Sequence, residues 1–523
     1  MKTIGLTIGP IIKTLNMAKK TRETWAASYL FSFLMKNLVE QLPANGIDKN
    51  KILVPNAGSL IDTGNKSQAG LFPDRLIFQA AEGDFDKLKN AVNAAMQIMA
   101  AGISEKIGAP LNDVRADLDN YLQIYFIEKE LAPGDNPIFI LTPYLEAIER
   151  HTKYIHHDSN QFLAKFLKQR KKDFLSHAAG LDRDRFKSLI EIATRELETV
   201  NQDAYEEIIK KYIYNEEKDE DETSIIRAFK DDESLKKEFK IYHKYIAIVQ
   251  ADGDNIKNTI EKYGHDPEAL KSFSHDLTQY ALTAVDLIKE YGGAPVYAGG
   301  DDLLFFAPVV NRVKEQNGHI SSKNIFDLID NLDAAFKIKF KENATLSYGI
   351  SITYYKYPMN EALDQARGLL FEKAKKYRNK DGTEEKNAVA FKVLKHSGRS
   401  FETVFYKGSE IYALYKRMLS QYSVDKQYLN SIVHSLQAYR GILKELFENV
   451  KDQAVERVNH FFANSFNEQI HDDHRKYIED AAKLVYNVYN TAPSTWDDEQ
   501  KFQAVYAVLR TLHFFNQDDN ERQ

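Results

Sequence analysis

The sequence predicts an α+β fold with two ferredoxin-like sheet domains and with helical domains between and after them. Residues 245–394 alternate short apolar strands with longer amphipathic helices, and the tight hairpin VYAGGDDLLFF at 296–306 joins two of the strands. The N-terminal residues show a similar mixture of strand and helix patterns. We therefore expect a diverged copy of the same sheet unit at the start of the chain.

The length of the chain requires more than one hydrophobic core, because 523 residues exceed the size at which single cores stop growing. We predict a first sheet domain at 1–155, a helical linker domain at 156–240, a second sheet domain at 241–400 and a helical bundle at 401–523. The pattern within 160–240 and after 401 is almost wholly helical. The acidic run at 215–224 is typical of a solvated loop, since clustered like charges repel each other.

The elements of the second sheet domain follow from two periodicities. Strands are predicted where β-branched and aromatic residues form short runs: YIAIVQAD, the hairpin APVYAGGDDLLFFAP, ATLSYGISITYY and NAVAFKVLK. Helices are predicted where apolar residues recur at helical spacing: GDNIKNTIEKYG, FSHDLTQYALTAVDLIKEYG, NIFDLIDNLDAAFKIKF and MNEALDQARGLLFEKAKKY. Strands and packed helices in this order are typical of a ferredoxin-like sheet.

The first sheet domain is less regular. KTIGLTIGPI predicts a strand, and the segment from Asn16 to Leu38 predicts a long helix. KILVPNAGSL and GLFPDRLIFQA are interpreted as strand-and-turn segments, punctuated by proline and glycine. Residues 83–130 are predicted to be helical, and PIFILTPYL is predicted to be a further strand or buried segment.

Composition narrows the classes of function. The net charge of −6 does not favour a strongly basic nucleic-acid binder, and the absence of cysteine excludes disulfides and thiolate-bound zinc. We expect no zinc. The sequence has no apolar run long enough to span a membrane and no signal-peptide pattern, so we expect a cytoplasmic protein with no membrane partner.

Acidic residues follow two strands that a ferredoxin-like sheet places side by side. Asp252 closes the strand YIAIVQAD, and Asp301 and Asp302 form the tip of the next hairpin. Because adjacent carboxylates repel each other, this placement favours a bound cation. Mg²⁺ or Mn²⁺ prefers oxygen ligands, and two such ions can hold the attacking and leaving oxygens of a phosphoryl displacement. We predict that the three aspartates are catalytic and bind two metal ions, with ATP as the substrate.

Neighbouring residues suit a nucleotide. Gly299 and Gly300 leave space for phosphates at the turn, and the helix that starts after Asp254 offers free N–H groups to a triphosphate. A lysine near the end of a later helix, Lys375, would balance charge on leaving pyrophosphate. We predict that the nucleotide is bound by Gly253, Asp254, Asn255, Gly299, Gly300, Ser347 and Lys375. The structural alternatives are an ordinary Gly-Gly-Asp-Asp turn, a solvated lysine at a helix C-terminus and a plain strand residue at 347.

These motifs resemble the large polymerase/cyclase subunit, or Palm subunit, of type III CRISPR effector complexes, especially of the type III-B kind. The second palm of that family has an Asp-x-Asp strand end and a Gly-Gly-Asp-Asp hairpin, which ADGD and AGGDD match here. The N-terminal segment is similar to the first palm at Gly9, Pro10, Lys20, Thr21, Arg22, Trp25, Ala26, Ser28 and Tyr29. GLFPDRL at 70–76 resembles a Pro-Asn-Arg turn of the family, with Asp74 in place of asparagine, and KHSGR resembles the segment after the second palm.

The resemblance implies a subunit that works with other proteins, guide RNA and target RNA, and that converts ATP into a nucleotide second messenger. The usual product would be cyclic oligoadenylate, and S-adenosylmethionine is an alternative acceptor of the adenylyl group. Many relatives carry an HD nuclease domain before the first palm, whereas this chain begins at the first palm. We therefore expect no cleavage of single-stranded DNA.

Two other classes of function stay open at this point. The chain could be an RNA-binding scaffold without catalysis, although the paired aspartates then have no purpose. It could also be a free-standing cyclase of the diguanylate type. That class requires an acidic residue shortly after the hairpin aspartates, where Leu303 and Leu304 stand instead, and it leaves the first palm unexplained.

Overall fold

The structure is a computed structural model of the whole chain. It describes residues 2–56, 67–150, 161–169, 173–181, 186–213, 222–263, 266–314, 320–341, 344–421 and 475–517, with a few single residues between 438 and 460. Within these ranges no helix is long and apolar enough to cross a membrane.

The first sheet has four antiparallel strands in the order β2–β3–β1–β4. They are β1 (Lys2–Gly9), β2 (Ile52–Val54), β3 (Arg75–Gln79) and β4 (Gln123–Glu130). The accompanying helices are α1 (Ile11–Leu15), α2 (Thr21–Ala44), α3 (Asp84–Ile107), α4 (Leu111–Tyr121) and α5 (Pro137–Glu149). This strand order is that of a ferredoxin-like unit.

The second sheet contains the same unit and extends it. Its strands are β5 (Tyr245–Asp254), β6 (Ala294–Ala298), β7 (Leu303–Pro308), β10 (Thr345–Tyr354), β11 (Ala388–Leu394) and β12 (Ser400–Tyr406), while β8 (Val310–Lys314) and β9 (Ile320–Asn324) form a separate ribbon. The order is β12–β11–β10–β5–β7–β6, so β10–β5–β7–β6 repeats the arrangement β4–β1–β3–β2. Only β10 and β11 pair in parallel.

Helices surround this sheet and connect it to the first. Those before it are α6 (Gln161–Leu167), α7 (Phe174–Ala179), α8 (Leu189–Ala193), α9 (Arg195–Val200), α10 (Gln202–Ile213) and α11 (Glu222–Asp231). Those within it are α12 (Ile256–Tyr263), α13 (Pro267–Glu290), α14 (Ile325–Phe340) and α15 (Met359–Gly368), which continues as a π-helical turn, Leu369–Ala374. The last helices are α16 (Glu410–Gln421), α17 (Arg475–Thr491) and α18 (Asp498–Asn516).

One hydrophobic core runs through both sheets. It includes Trp25 and Leu34 of α2, Phe78 of β3, and Ile248 and Phe305 of the second sheet, all buried. Burial of apolar surface on this scale is the main force that holds the two halves together. The α+β prediction is therefore confirmed.

Three of the sequence predictions about secondary structure are wrong. Residues 123–130 form a strand rather than a helix, because they pair along their whole length with β1. PIFILTPYL lies in a helix that Asn136 caps through Ile138 N–H, with Pro137 in the first turn, where its missing N–H costs nothing. Residues 401–406 belong to β12, where buried and half-buried side chains alternate as in a sheet.

The predicted domain boundaries at 155, 240 and 400 stay predictions. The strands of the two large sheets lie within 2–130 and 245–406, so the second sheet extends past residue 400. Of the acidic run, residues 215–221 lie outside the described residues, and Glu222 to Ser224 begin α11.

Candidate active site

The pairing of β5 with β7 brings the three predicted catalytic aspartates together. The register runs from Ile246 opposite Pro308 to Ala251 opposite Leu303. Asp252 directly follows the last pair on one strand, and Asp302 directly precedes it on the other. The carboxylates from two separate parts of the sequence therefore meet at one edge of the sheet.

The hairpin tip is closed tightly by glycine. The N–H of Gly299 donates to the carbonyl oxygen of Asp302 at 3.0 Å, and Gly300 has a φ of +101°, in the region that favours glycine. A β-carbon on Gly253 would lie 2.4 Å from Oδ2 of Asp301. The carboxylate of Asp301 thus rests against the end of β5, and only glycine at 253 gives it space.

Burial and mutual repulsion disfavour ionisation of both hairpin aspartates. Burial, and then the charge of Asp252, raise the pKa of Asp301 to about 6, although backbone N–H groups and Lys375 act to lower it. Burial, then Asp252, Asp301 and Asp74, raise the pKa of Asp302 well above its ordinary range. Bound cations would relieve this repulsion.

Lys375 lies among the carboxylates and not on an open helix end. Its Nζ is 2.6 Å from Oδ2 of Asp252 and 2.8 Å from Oδ1 of Asp254, and it donates to the backbone oxygens of Asp252 and Gly253. Burial alone would lower the pKa of Lys375, but Asp254 and Asp252 outweigh it and raise that pKa. The prediction that this lysine belongs to the site agrees with the geometry, and the solvated alternative is wrong.

A π-helical turn aims Lys375 at the sheet. The N–H of Lys375 donates to the carbonyl oxygen of Leu370 at 2.8 Å, five residues back. The end of α15 and the turn pack so tightly on β10 that a β-carbon on Gly349 would lie 2.1 Å from the carbonyl oxygen of Ala366 and 2.5 Å from the nitrogen of Leu370. π-turns within α-helices are frequent at functional sites.

Asp254 is fully buried, with both carboxylate oxygens engaged. It accepts hydrogen bonds from Thr345 Oγ1 at 2.9 Å, from Ser347 Oγ at 2.8 Å and from the N–H of Asn387 at 2.9 Å, besides its contact with Lys375. Ser347 is also fully buried. In this conformation neither side chain has surface that a nucleotide could touch, so their predicted role in nucleotide binding would require this network to open. Asn255 is exposed, with a φ of +60°.

The first half of the chain contributes to the site, which the sequence reasoning missed. Gly70 pairs in parallel with Tyr297: its N–H donates to Val296 O at 3.2 Å, and Ala298 N–H donates to its carbonyl oxygen at 2.8 Å. This direction brings Asp74 near the hairpin tip, where its charge raises the pKa of Asp302 and of Tyr297. The sequence holds one indication of this contribution, which is that Asp74 stands where the family's Pro-Asn-Arg turn has asparagine.

The site has the donor chemistry for a hard divalent cation but is not assembled as a metal centre. Within the described ranges, no group of three or more His, Cys, Asp or Glu side chains is placed to hold an ion. The ammonium group of Lys375 contacts Asp252 instead. The carboxylate oxygens at this edge repel each other, and the side chain of Asp252 is 31% exposed. Such oxygens fit Mg²⁺ or Mn²⁺ once the contact between Lys375 and Asp252 opens.

Comparison with known proteins gives the class of this fold. Residues 245–384 match the family model described as Cas10/Cmr2, second palm domain, and residues 3–108 match the model of the N-terminal region of the CRISPR-associated protein Cmr2. The second sheet domain is therefore similar to the second palm domain of Cas10/Cmr2, and the N-terminal region is similar to that of Cmr2. By these matches the chain is Cmr2-like.

Individual relatives agree with this assignment. The Cmr2 subunit of the CRISPR Cmr system of Pyrococcus furiosus is 30% identical over 190 residues, which cover 30% of this chain and 19% of that protein. The match thus spans about a fifth of the length of that relative.

Solved structures show the same fold. A chain of the type III-B Cmr-beta complex bound to cognate target RNA matches with a TM-score of 0.56 at 11% identity, covering 98% of this chain and 83% of that one. A chain of the Csm1–Csm4 cassette in complex with cA4 matches with a TM-score of 0.50 at 12% identity, covering 99% of this chain and 70% of that one.

Proposed function

We propose that this chain is the nucleotidyltransferase subunit of an RNA-guided antiviral complex, and that it makes a nucleotide second messenger from ATP when target RNA is bound. The observation that carries the proposal is the meeting of Asp252, Asp301 and Asp302 between two strand ends, beside Lys375. It occurs on a fold that matches the second palm domain of Cas10/Cmr2.

In the proposed reaction, a hydroxyl group of the acceptor attacks the α-phosphorus of ATP. A new P–O bond forms, the bond to pyrophosphate breaks, and the hydroxyl proton passes to water. Asp252, Asp301 and Asp302 would hold Mg²⁺ or Mn²⁺, which supplies positive charge to the attacking and leaving oxygens. Lys375 adds positive charge where pyrophosphate departs, and the N–H groups at the start of α12 face the phosphates.

The contexts of the similar structures support the partners and the product. One similar chain belongs to a Cmr-beta complex that is bound to target RNA, and another belongs to a Csm1–Csm4 cassette in complex with cA4. By analogy, this chain would assemble with other subunits of a type III-B complex, with guide RNA and with target RNA. Its product would be a cyclic oligoadenylate made in the cytoplasm.

The test is mass spectrometry of the products formed from ATP by the assembled complex with guide RNA. Reactions are run with matching or non-matching target RNA, and with or without S-adenosylmethionine. We expect cyclic oligoadenylates with matching RNA alone. An adenylyl adduct of S-adenosylmethionine would assign that acceptor instead, and a complex that binds target RNA but forms no product from ATP would leave only the scaffold function.

A further inference from the structure

We propose that Asp254 is a positioning residue, which holds the ammonium group of Lys375 at the end of β5 so that Lys375 can serve the nucleotide. This inference rests on the proposed function, and it separates the two aspartates of the Asp-Gly-Asp strand end. Asp252 faces the site, whereas Asp254 acts through the lysine and contacts neither metal nor nucleotide.

The first support is the difference in exposure between the two carboxylates. The side chain of Asp252 is 31% exposed and that of Asp254 is 0% exposed, although they are two residues apart on one strand. Beyond Ala251 the strand β7 no longer covers β5, whereas β10 runs alongside both carboxylates, with Ser347 opposite Asp252 and Thr345 opposite Asp254. The difference in exposure therefore comes from the groups that surround Asp254, which are the hydroxyls of Thr345 and Ser347 and the N–H of Asn387.

The second support is the set of groups that fix Asp254. Two hydroxyl groups of β10, from Thr345 and Ser347, and the N–H of Asn387 donate to its oxygens. Lys386 and Asn387 both have left-handed backbone, with φ of +35° and +47°, which costs energy for residues other than glycine. This strained backbone directs the N–H group of Asn387 at the buried carboxylate of Asp254.

The third support is the position of Lys375 itself. Its side chain is only 13% exposed, and its remaining contacts are backbone oxygens and Asp252. In the proposed reaction, a metal ion would bind the carboxylate of Asp252. Among the residues that the structure describes, Asp254 is then the charged partner that stays with the lysine when Asp252 binds the ion, and it keeps the ammonium group within reach of the phosphates.

The experiment is a double-mutant cycle with D254N and K375M in the assembled complex, measured as kcat/KM for ATP and as the Kd for a non-hydrolysable ATP analogue. We expect K375M to lower kcat/KM about 100-fold and D254N about 10-fold or more. The double variant should match K375M within about 3-fold, because Asp254 acts only through the lysine. If D254N lowers kcat/KM as much in the K375M background as in the wild type, Asp254 acts directly and the inference is wrong.

A matched control separates positioning from folding. D480N removes another buried carboxylate, which pairs with Arg417 at 2.6 Å in the C-terminal helices. We expect it to lower the melting temperature but to leave nucleotide affinity unchanged. If D254N does not accumulate, T345V/S347A loosens the same carboxylate, and it should weaken nucleotide binding in the wild-type background but not in the K375M background.

The outcomes also distinguish the inference from the proposed function. A wild-type complex that forms no product from ATP overturns the function itself. An active wild type whose K375M variant is equally active overturns the role of the lysine, and with it this inference, while the three site aspartates keep theirs.

Discussion

The two sheets share one strand order but end their central strands differently. In the first sheet β1 ends at Gly9 and is followed by Pro10, whereas in the second β5 ends in Asp252-Gly253-Asp254. The step from β6 to β7 is a four-residue turn with two aspartates, while β2 and β3 are separated by residues 55–74. The same topology therefore brings acidic side chains to the end of its central strand in the second copy, whereas glycine and proline stand at that position in the first.

The difference shows which features a ferredoxin-like sheet needs for a site. Both copies offer a central strand flanked by antiparallel neighbours. In the second copy, glycine at the strand end and at the hairpin tip lets carboxylates approach, and a π-turn brings a lysine to them. In the first copy, Gly70 instead pairs with β6 of the second sheet, so the first half contacts the site from outside.

The largest expected effect comes from D301A/D302A, which removes both hairpin carboxylates. We expect product formation from ATP to fall at least about 1,000-fold, because the oxygens that would hold the metal ions are lost. The control, E128A/E130A, removes two carboxylates from β4 of the first sheet and should leave turnover unchanged. Both variants should assemble with guide RNA. Normal turnover in D301A/D302A would overturn the assigned site.

The second expected effect compares the ends of the two central strands. In G253A the new β-carbon would meet Oδ2 of Asp301 at 2.4 Å, whereas at Gly9 the nearest atom, Oε1 of Gln123, is 4.0 Å away. We expect G253A to lower kcat about 100-fold, since small displacements of reacting groups have effects of that size, and G9A to leave it unchanged. Equal activity of the two variants would show that the close approach to Asp301 has no function.

The sequence was sufficient to predict that the three carboxylates lie together, but it was insufficient to predict the contacts of the residues around them. Asp252, Asp301 and Asp302 follow from their position after or between apolar runs, because strand ends in such a sheet meet. Lys375 was predicted as a site residue, but its contacts with the aspartates were not. Those contacts depend on a π-turn, which forms because of the way the helix packs on Gly349. The burial of Asp254 was not predictable either: alternation along a strand gives residues 252 and 254 the same face, and only the folded contacts show that Thr345, Ser347 and Asn387 enclose residue 254.

The long-range contacts were also beyond the sequence. Nothing local indicates that Gly70 pairs with Tyr297, and the aspartate at residue 74 does not by itself tell which part of the chain it approaches. PIFILTPYL is apolar almost throughout, so its periodicity could not distinguish a buried helix from a strand. In the structure it is a helix, which Asn136 caps at its N-terminus.

The third expected effect concerns stability and compares central glycines. In G349A the β-carbon would lie 2.1 Å from a backbone oxygen of α15, and in G5A it would lie 3.2 Å from a side-chain carbon of Leu145. We expect G349A to lower the free energy of unfolding by about 3 kcal/mol and G5A by less than about 1 kcal/mol, because a side chain moves more easily than backbone. Chemical denaturation of both variants measures this, and a larger loss in G5A would contradict the packing argument.

The smallest expected effect is a gain in stability for D301N. The pKa of Asp301 rises from its ordinary 3.8 to about 6 on folding, so the folded chain holds more protons between these values. Its stability therefore falls as pH rises through that window and stays lower above it. In EDTA at pH 8, D301N should melt about 1–3 °C above the wild type, and the difference should vanish below about pH 4. A D301N protein that melts lower than the wild type at pH 8 would contradict this sign.

The pairing of Gly70 with β6 has a mechanical consequence. Two backbone hydrogen bonds tie a segment of the N-terminal half to the strand that leads into Gly299 and Gly300. The halves cannot rotate past each other at this position without either breaking those bonds or moving the hairpin loop. A displacement of the N-terminal half would therefore reach the acidic tip of the hairpin through the backbone of β6.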